Sequence, residues 1–221
     1  MALQKINLRK LLQLFYASPS QRKALLRSDI RQERNKLLGF KESGGDFFGP
    51  FWADAKAHVA GNLDLQIQIP LRIAELKNTK RLYPLLRDGF LRWWNEKRRW
   101  RNESYVLIEQ SVKTQFLLEE INCIVKIENL LALSISDETN KIIYPYFSEK
   151  PPLDTEAARI ALWLLGEALE PYIVGDMRIL DVLRAKSYGT IDCPLQGNER
   201  QIFLRKYKQL ILEREALSKE Y

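Results

Sequence analysis

Near Arg101 the hydrophobic period of this chain changes, and that change limits its fold more than any other feature. Before it, apolar residues recur at helical spacing. After it, "YVLIE", "NCIVKIE" and "LLALSIS-DETN-KIIYPYF" are β-branched and partly alternating, the pattern of strands with one face on a core. Helices followed by strands define an α+β protein. The expected architecture is an N-terminal helical lobe, residues 1–101, packed on a C-terminal lobe, residues 102–221, with a small antiparallel sheet and two C-terminal helices. The same elements also suit one continuous domain.

Helix boundaries are written in the capping residues. Asn7 caps a helix over about 8–16. In "SPSQ", Ser18 is an N-cap, Pro19 the first helical position and Gln21 the third residue of a capping box, opening a helix over about 19–37. A glycine- and aromatic-rich stretch follows, with a short helix from Pro50 to before Gly61, then a helix over about 65–77 interrupted by Pro70. A long helix is expected over about 80–101. Asp154 caps "TEAARIALWLLGEAL", apolar around most of its circumference and therefore buried against the sheet. A last strand, "RILDVLR", precedes a terminal helix whose capping box is read at Asn198 and Gln201.

The stretch "FLRWWNEKRRWR" threads three tryptophans through five basic residues. On a continuous helical wheel Leu82, Leu86, Phe90, Trp93 and Trp100 form one apolar stripe, with Trp94 at its margin and Arg81, Arg92 and Arg99 on the far side. This assigns Trp93 and Trp100 to the core and leaves a basic outer edge.

Net charge is +7, unevenly distributed. Residues 1–36 hold nine Lys/Arg against two Asp/Glu and residues 80–101 eight against two, whereas 102–221 hold fourteen against nineteen. A basic half joined to an acidic half points either to a polyanion partner or to attraction between the halves. The candidate nucleic-acid contacts are Lys23, Arg27, Arg31 and Arg34, a ridge on the second helix, with Arg81, Arg92 and Arg99. Phe47, Phe48, Phe51 and Trp52 are either a plug packed under their loop or, if exposed, a partner-binding patch.

Several chemistries find no support. One histidine, His58, excludes any mechanism needing two imidazoles; with Asp54, four residues earlier, it suits a helix-surface salt bridge, or a buried, satisfied histidine, better than a catalytic couple. Two cysteines, Cys123 and Cys193, are too few for a disulfide framework or a CxxC metal knuckle. No P-loop and no GxGxxG after a strand is present. Helix, strands, helix and strand, with Glu128 and Asp181 on strands, are compatible with a restriction-endonuclease-like core. However, Leu183 stands where the lysine of a D/E-x-K should follow Asp181, while Asp54-x-Lys56 and Glu75-x-Lys77 fall on helices.

No apolar run reaches the ~18 residues of a membrane span, and charges cut through the N-terminal apolar residues, unlike a signal peptide. The sequence therefore leads to the expectation of a non-catalytic, cytoplasmic, nucleic-acid-associated protein without a cofactor or metal. The alternatives are a protein-interaction subunit or homo-oligomer, and a metal-dependent, possibly degenerate nuclease.

Overall fold

The computed structural model describes residues 3–40, 46–76, 78–108, 112–136 and 139–220. The chain runs β1 (Lys5–Asn7), α1 (Leu8–Tyr16), α2 (Pro19–Leu37), α3 (Gly49–Val59), α4 (Leu65–Glu75) and α5 (Leu82–Arg92), then β2 (Val106–Leu107), β3 (Thr114–Leu118), β4 (Cys123–Ile127), β5 (Leu131–Ser136) and β6 (Thr139–Tyr146). It continues through α6 (Thr155–Ala168), β7 (Met177–Asp181) and β8 (Lys186–Tyr188) to α7 (Glu199–Ser218). Gly44 and Gly45 of the glycine- and aromatic-rich stretch, Lys77 of Glu75-x-Lys77, and Asp137 and Glu138 of the expected hairpin turn lie outside the described residues.

The fold is α+β, with a five-stranded sheet ordered β2-β5-β6-β7-β8 and a three-stranded sheet ordered β1-β4-β3. The sheets are mixed rather than wholly antiparallel. β6 and β7 are parallel because the α6 crossover, not a hairpin, joins them, and β1 lies parallel to β4, more than a hundred residues away.

Alternation along the five-stranded sheet makes it the middle layer. Ile142, Tyr144 and Tyr146 of β6, with Met177 and Ile179 of β7, join a core containing α1, α6, α7, the small sheet and Leu26 and Ile30 of α2. Ile143, Leu180, Leu131 and Leu133 point the other way, into a second core with α3, α4 and α5. The cut at Arg101 thus does not separate two cores, since each draws residues from both sides of it.

Most caps form as the side-chain chemistry requires. Asn7 Oδ1 accepts the Arg9 N–H at 3.0 Å, Asp154 Oδ1 the Ala157 N–H at 2.7 Å, and Ser18 and Gln21 close their capping box. At α7 the box does not form. Asn198 Oδ1 accepts from Arg159 and no side chain caps the helix; the Glu199 carboxylate instead ties down the preceding loop, accepting the N–H groups of Gln196 at 2.7 Å and Gly197 at 2.9 Å. Arg159, buried on the largely apolar α6, closes on Glu199 at 2.8 Å. Among the described residues no helix is long and apolar enough to cross a membrane.

Candidate anion-binding pocket

The long helix expected over 80–101 ends early. After Arg92 the backbone makes a π-helical turn, Trp93–Lys97, and turns extended at Arg98, whose N–H bonds the Trp93 carbonyl at 3.0 Å. A π turn inserts a residue into the helical period, so the wheel drawn through Leu82 no longer applies beyond it. Trp93 and Trp100 are buried as the wheel required, but Trp94 is buried too instead of lying at the margin. The chain reversal stacks Trp100 edge-on to Trp93 and Trp94, with ring centroids 6.4 and 5.9 Å away.

Arg98 sits inside this aromatic cluster. Its guanidinium carbon lies 3.7 Å from the Trp94 centroid, 4.9 Å from Trp100 and 5.3 Å from Tyr105, and the residue is 8% exposed. Ring faces attract a cation, which offsets part of its desolvation. Hydrogen bonding does not complete the account: Nη2 donates to the Arg101 carbonyl at 3.4 Å, and Nε and Nη1 have no acceptor among the described residues. The buried Trp93 indole N–H also lacks one. Each such donor costs about 1–3 kcal/mol. Burial pushes the Arg98 pKa down from its ordinary value.

Beside this cluster, at the β8 edge of the central sheet, opens a cavity of about 200 Å³. Lys97, Arg98 and Arg99 line it from the π-turn side, Arg178, Lys186 and Asp192 from the sheet side, and Trp93 and Trp100 form part of its wall. Asp192 organises the rim, its Oδ1 accepting from Arg99 Nη2 at 2.6 Å and its Oδ2 from Arg178 Nη1 at 2.8 Å and the Gly189 N–H at 3.0 Å. Gly189 is needed for this arrangement, because a Cβ there would stand 2.1 Å from Arg178 Nη1. Five cations around one carboxylate give a cavity suited to an anion.

The seven basic residues picked from the sequence do not form one surface. Lys23, Arg31 and Arg34 are exposed on α2, on the α7 side of the central sheet, and Arg27 there pairs with Glu220 of the terminal segment at 2.9 Å. Arg81 belongs to the other layer and makes a two-bond pair with Glu149, at 2.6 and 2.5 Å. Arg92 lies 3.9 Å from Glu96, and Arg99 alone reaches the cavity. Part of the charge asymmetry is therefore spent within the molecule, basic half against acidic half, through Arg22–Glu213, Arg27–Glu220, Arg81–Glu149 and Arg99–Asp192.

Sequence reasoning missed Lys97, Arg98, Arg178 and Lys186. "EKRRW" held a signal for the first two, hidden by treating the helix as continuous; Arg178 and Lys186 sit singly in the acidic half, and only the sheet brings them close.

The other candidates resolve into structure. Phe51 and Trp52 are buried and cannot present a partner surface; Trp52 donates to the Asn129 carbonyl at 2.5 Å. Phe48 stacks on Phe147 with centroids 4.9 Å apart, and Phe47 packs edge-on against Phe48 and Tyr83, so the four aromatics are a plug whose outer members are partly exposed. Asp54 does not orient His58: Arg72 holds both its oxygens, at 2.9 and 2.8 Å, while His58 Nδ1 lies 3.2 Å from the Leu63 carbonyl and 3.3 Å from the Leu65 nitrogen. Asp181 is buried at the end of β7, and burial raises its carboxyl pKa against the opposing effects of the Leu153 N–H and Arg184. Glu128 follows β4 in the other sheet, and no group of three His, Cys, Asp or Glu able to hold a metal occurs among the described residues.

Fold and pocket together define an α+β protein with a cationic cavity at one edge of its central sheet. The chain matches no protein-family model, and no curated protein sequence matches it.

Proposed function

We propose that this is a non-catalytic, intracellular nucleic-acid-associated protein whose basic groups contact phosphates largely without sequence preference. The observation that carries this reading is the cavity at the β8 edge, where five cationic side chains surround one carboxylate. Sequence-independent affinity for nucleic acid comes from Lys and Arg neutralising phosphates and releasing counterions. Reading bases by stacking requires open ring faces. Trp93, Trp94 and Trp100 are buried, which supports backbone contact over base contact.

The test is fluorescence anisotropy with labelled single- and double-stranded oligonucleotides of unrelated sequence. Binding is expected to fall steeply with salt and to weaken to a similar extent for every sequence when the exposed Lys97 and Lys186 are both changed to Glu. Absence of binding at low salt overturns the reading.

A second reading, a subunit of a larger assembly, is favoured by Ile67 and Leu71, one turn apart on α4 and 66% and 54% exposed. It predicts an oligomer or co-purifying partner that is lost when both become Lys. A monomer that brings down no partner counts against it.

A further inference from the structure

We infer that the cavity between the Trp93–Lys97 turn and β8 is a discrete site for a single phosphoryl oxyanion, bound among Lys97, Arg98 and Lys186 beside the Arg99–Asp192–Arg178 bridge. It takes from the proposed function only the ligand class and does not require a polymer.

Three observations converge. First, Arg98 lines the cavity, is more than nine-tenths buried and, among the described residues, has no carboxylate partner; its Nε and Nη1, like Trp93 Nε1, are enclosed in the ring cluster with no acceptor there, so nothing in the cluster balances the charge. Buried charges are ordinarily paired; here the rings of Trp94, Trp100 and Tyr105 surround the charge, and the carboxylate that lines the cavity, Asp192, is engaged by Arg99 and Arg178. The bond from Nη2 to the Arg101 carbonyl, at 3.4 Å, is long enough for a phosphate oxygen to replace it. Second, Asp192 accepts from one nitrogen each of Arg99 and Arg178. A guanidinium has five N–H donors, so both arginines keep others for an incoming oxyanion, and Asp192 fixes their positions beforehand. Third, about 200 Å³ is smaller than the ~300–1,000 Å³ of pockets that enclose drug-sized ligands. One phosphate enters; a sugar and base remain outside.

The test titrates the full chain with inorganic phosphate, using chloride at equal ionic strength as control and following tryptophan fluorescence and the melting temperature. Saturable phosphate-specific stabilisation is expected, with affinity at least about tenfold weaker in Arg98→Met, whose stem still fills the ring cluster. Should Arg98→Met not fold, Gly189→Ala serves instead. The obstruction its Cβ meets is the guanidinium of Arg178 and not backbone, so it is expected to displace that side chain, to keep the fold, and to weaken phosphate binding as well.

Oligonucleotides with and without a 5′-phosphate distinguish the source. Tighter binding of the phosphorylated oligonucleotide assigns the site to nucleic-acid ends. Phosphate binding with no oligonucleotide binding keeps this site, assigns it to a free phosphorylated compound, and refutes the nucleic-acid reading. Oligonucleotide binding without phosphate-specific stabilisation, or phosphate binding unchanged in Arg98→Met, overturns the inference.

Discussion

Gly89→Ala sets two physical effects against each other at one atom. Within α5 alone the change is favourable, since alanine in a helix is more stable than glycine by about 1 kcal/mol. The structure gives the opposite sign. A Cβ on Gly89 would stand 2.0 Å from the Val182 carbonyl oxygen and 3.1 Å from that of Leu183, both backbone atoms of the turn between β7 and β8. Relief requires helix and turn to part by about 1 Å or more, and overpacking of this kind costs ~1–3 kcal/mol. Because the obstruction is backbone, the upper part of that range applies, leaving a net loss of roughly 2 kcal/mol. For a chain of this size that lowers Tm by about 4–8 °C.

The site feels the same change. The Val182 carbonyl accepts the Ala185 N–H at 3.2 Å, and this turn delivers Ala185 and Lys186 to the cavity, while α5 runs on into Trp93–Lys97. Thermal and urea unfolding of wild type and Gly89→Ala measure the effect. An unchanged or higher Tm, the result helix propensity alone requires, refutes the close approach of α5 to the turn.

Four further outcomes follow from the geometry. Glu199→Gln is expected to destabilise by about 3 kcal/mol, because it leaves the buried Arg159 charge without its counter-ion; urea midpoints at neutral pH test this. Burial works to raise the Glu199 pKa, but the Gln196 N–H, Arg159 and the Gly197 N–H outweigh it and hold the pKa below the ordinary value. Its stabilisation is therefore complete above the unfolded value near 4.3 and lost as pH falls through the folded one, so the variant's acid limb should be shallower. Trp52→Ser should cost ~3–5 kcal/mol and appear as unfolding, whereas Phe47→Ser, nearer the surface, should cost less; circular dichroism melts separate them. The Cys193 thiol, pushed up to about 11 by burial and by Asp192, should resist thiol reagents at pH 8 in the native state and react once urea unfolds the chain.

What the sequence made legible was local. Asn7, Ser18, Pro19, Gln21 and Asp154 announced their helix starts because capping is settled within four residues, and the apolar "TEAARIALWLLGEAL" announced its own burial. Failures came where a distant partner decided. β1 has one buried residue, Ile6, and is a strand only because β4 pairs with it. Asn198 lost its capping role to an arginine on α6. The Lys23–Arg34 ridge and Arg99 read alike as charge, yet they lie in different layers of the fold.

The stretch "FLRWWNEKRRWR" divides the two kinds of determination most sharply. By itself the sequence determined an α+β chain, its capped helices, the burial of Trp93 and Trp100, and the excess of positive charge in its first half, because periodicity and capping act over a few residues. Tertiary structure alone decided that the helix breaks into a π turn, that Trp94 goes inward, and that Arg98 is enclosed by rings while Arg178 and Lys186 arrive from the acidic half. Those outcomes rest on packing against β8 and its following loop, some ninety residues further along the chain, and on ion pairs such as Arg99–Asp192 that exist only once the sheet has formed.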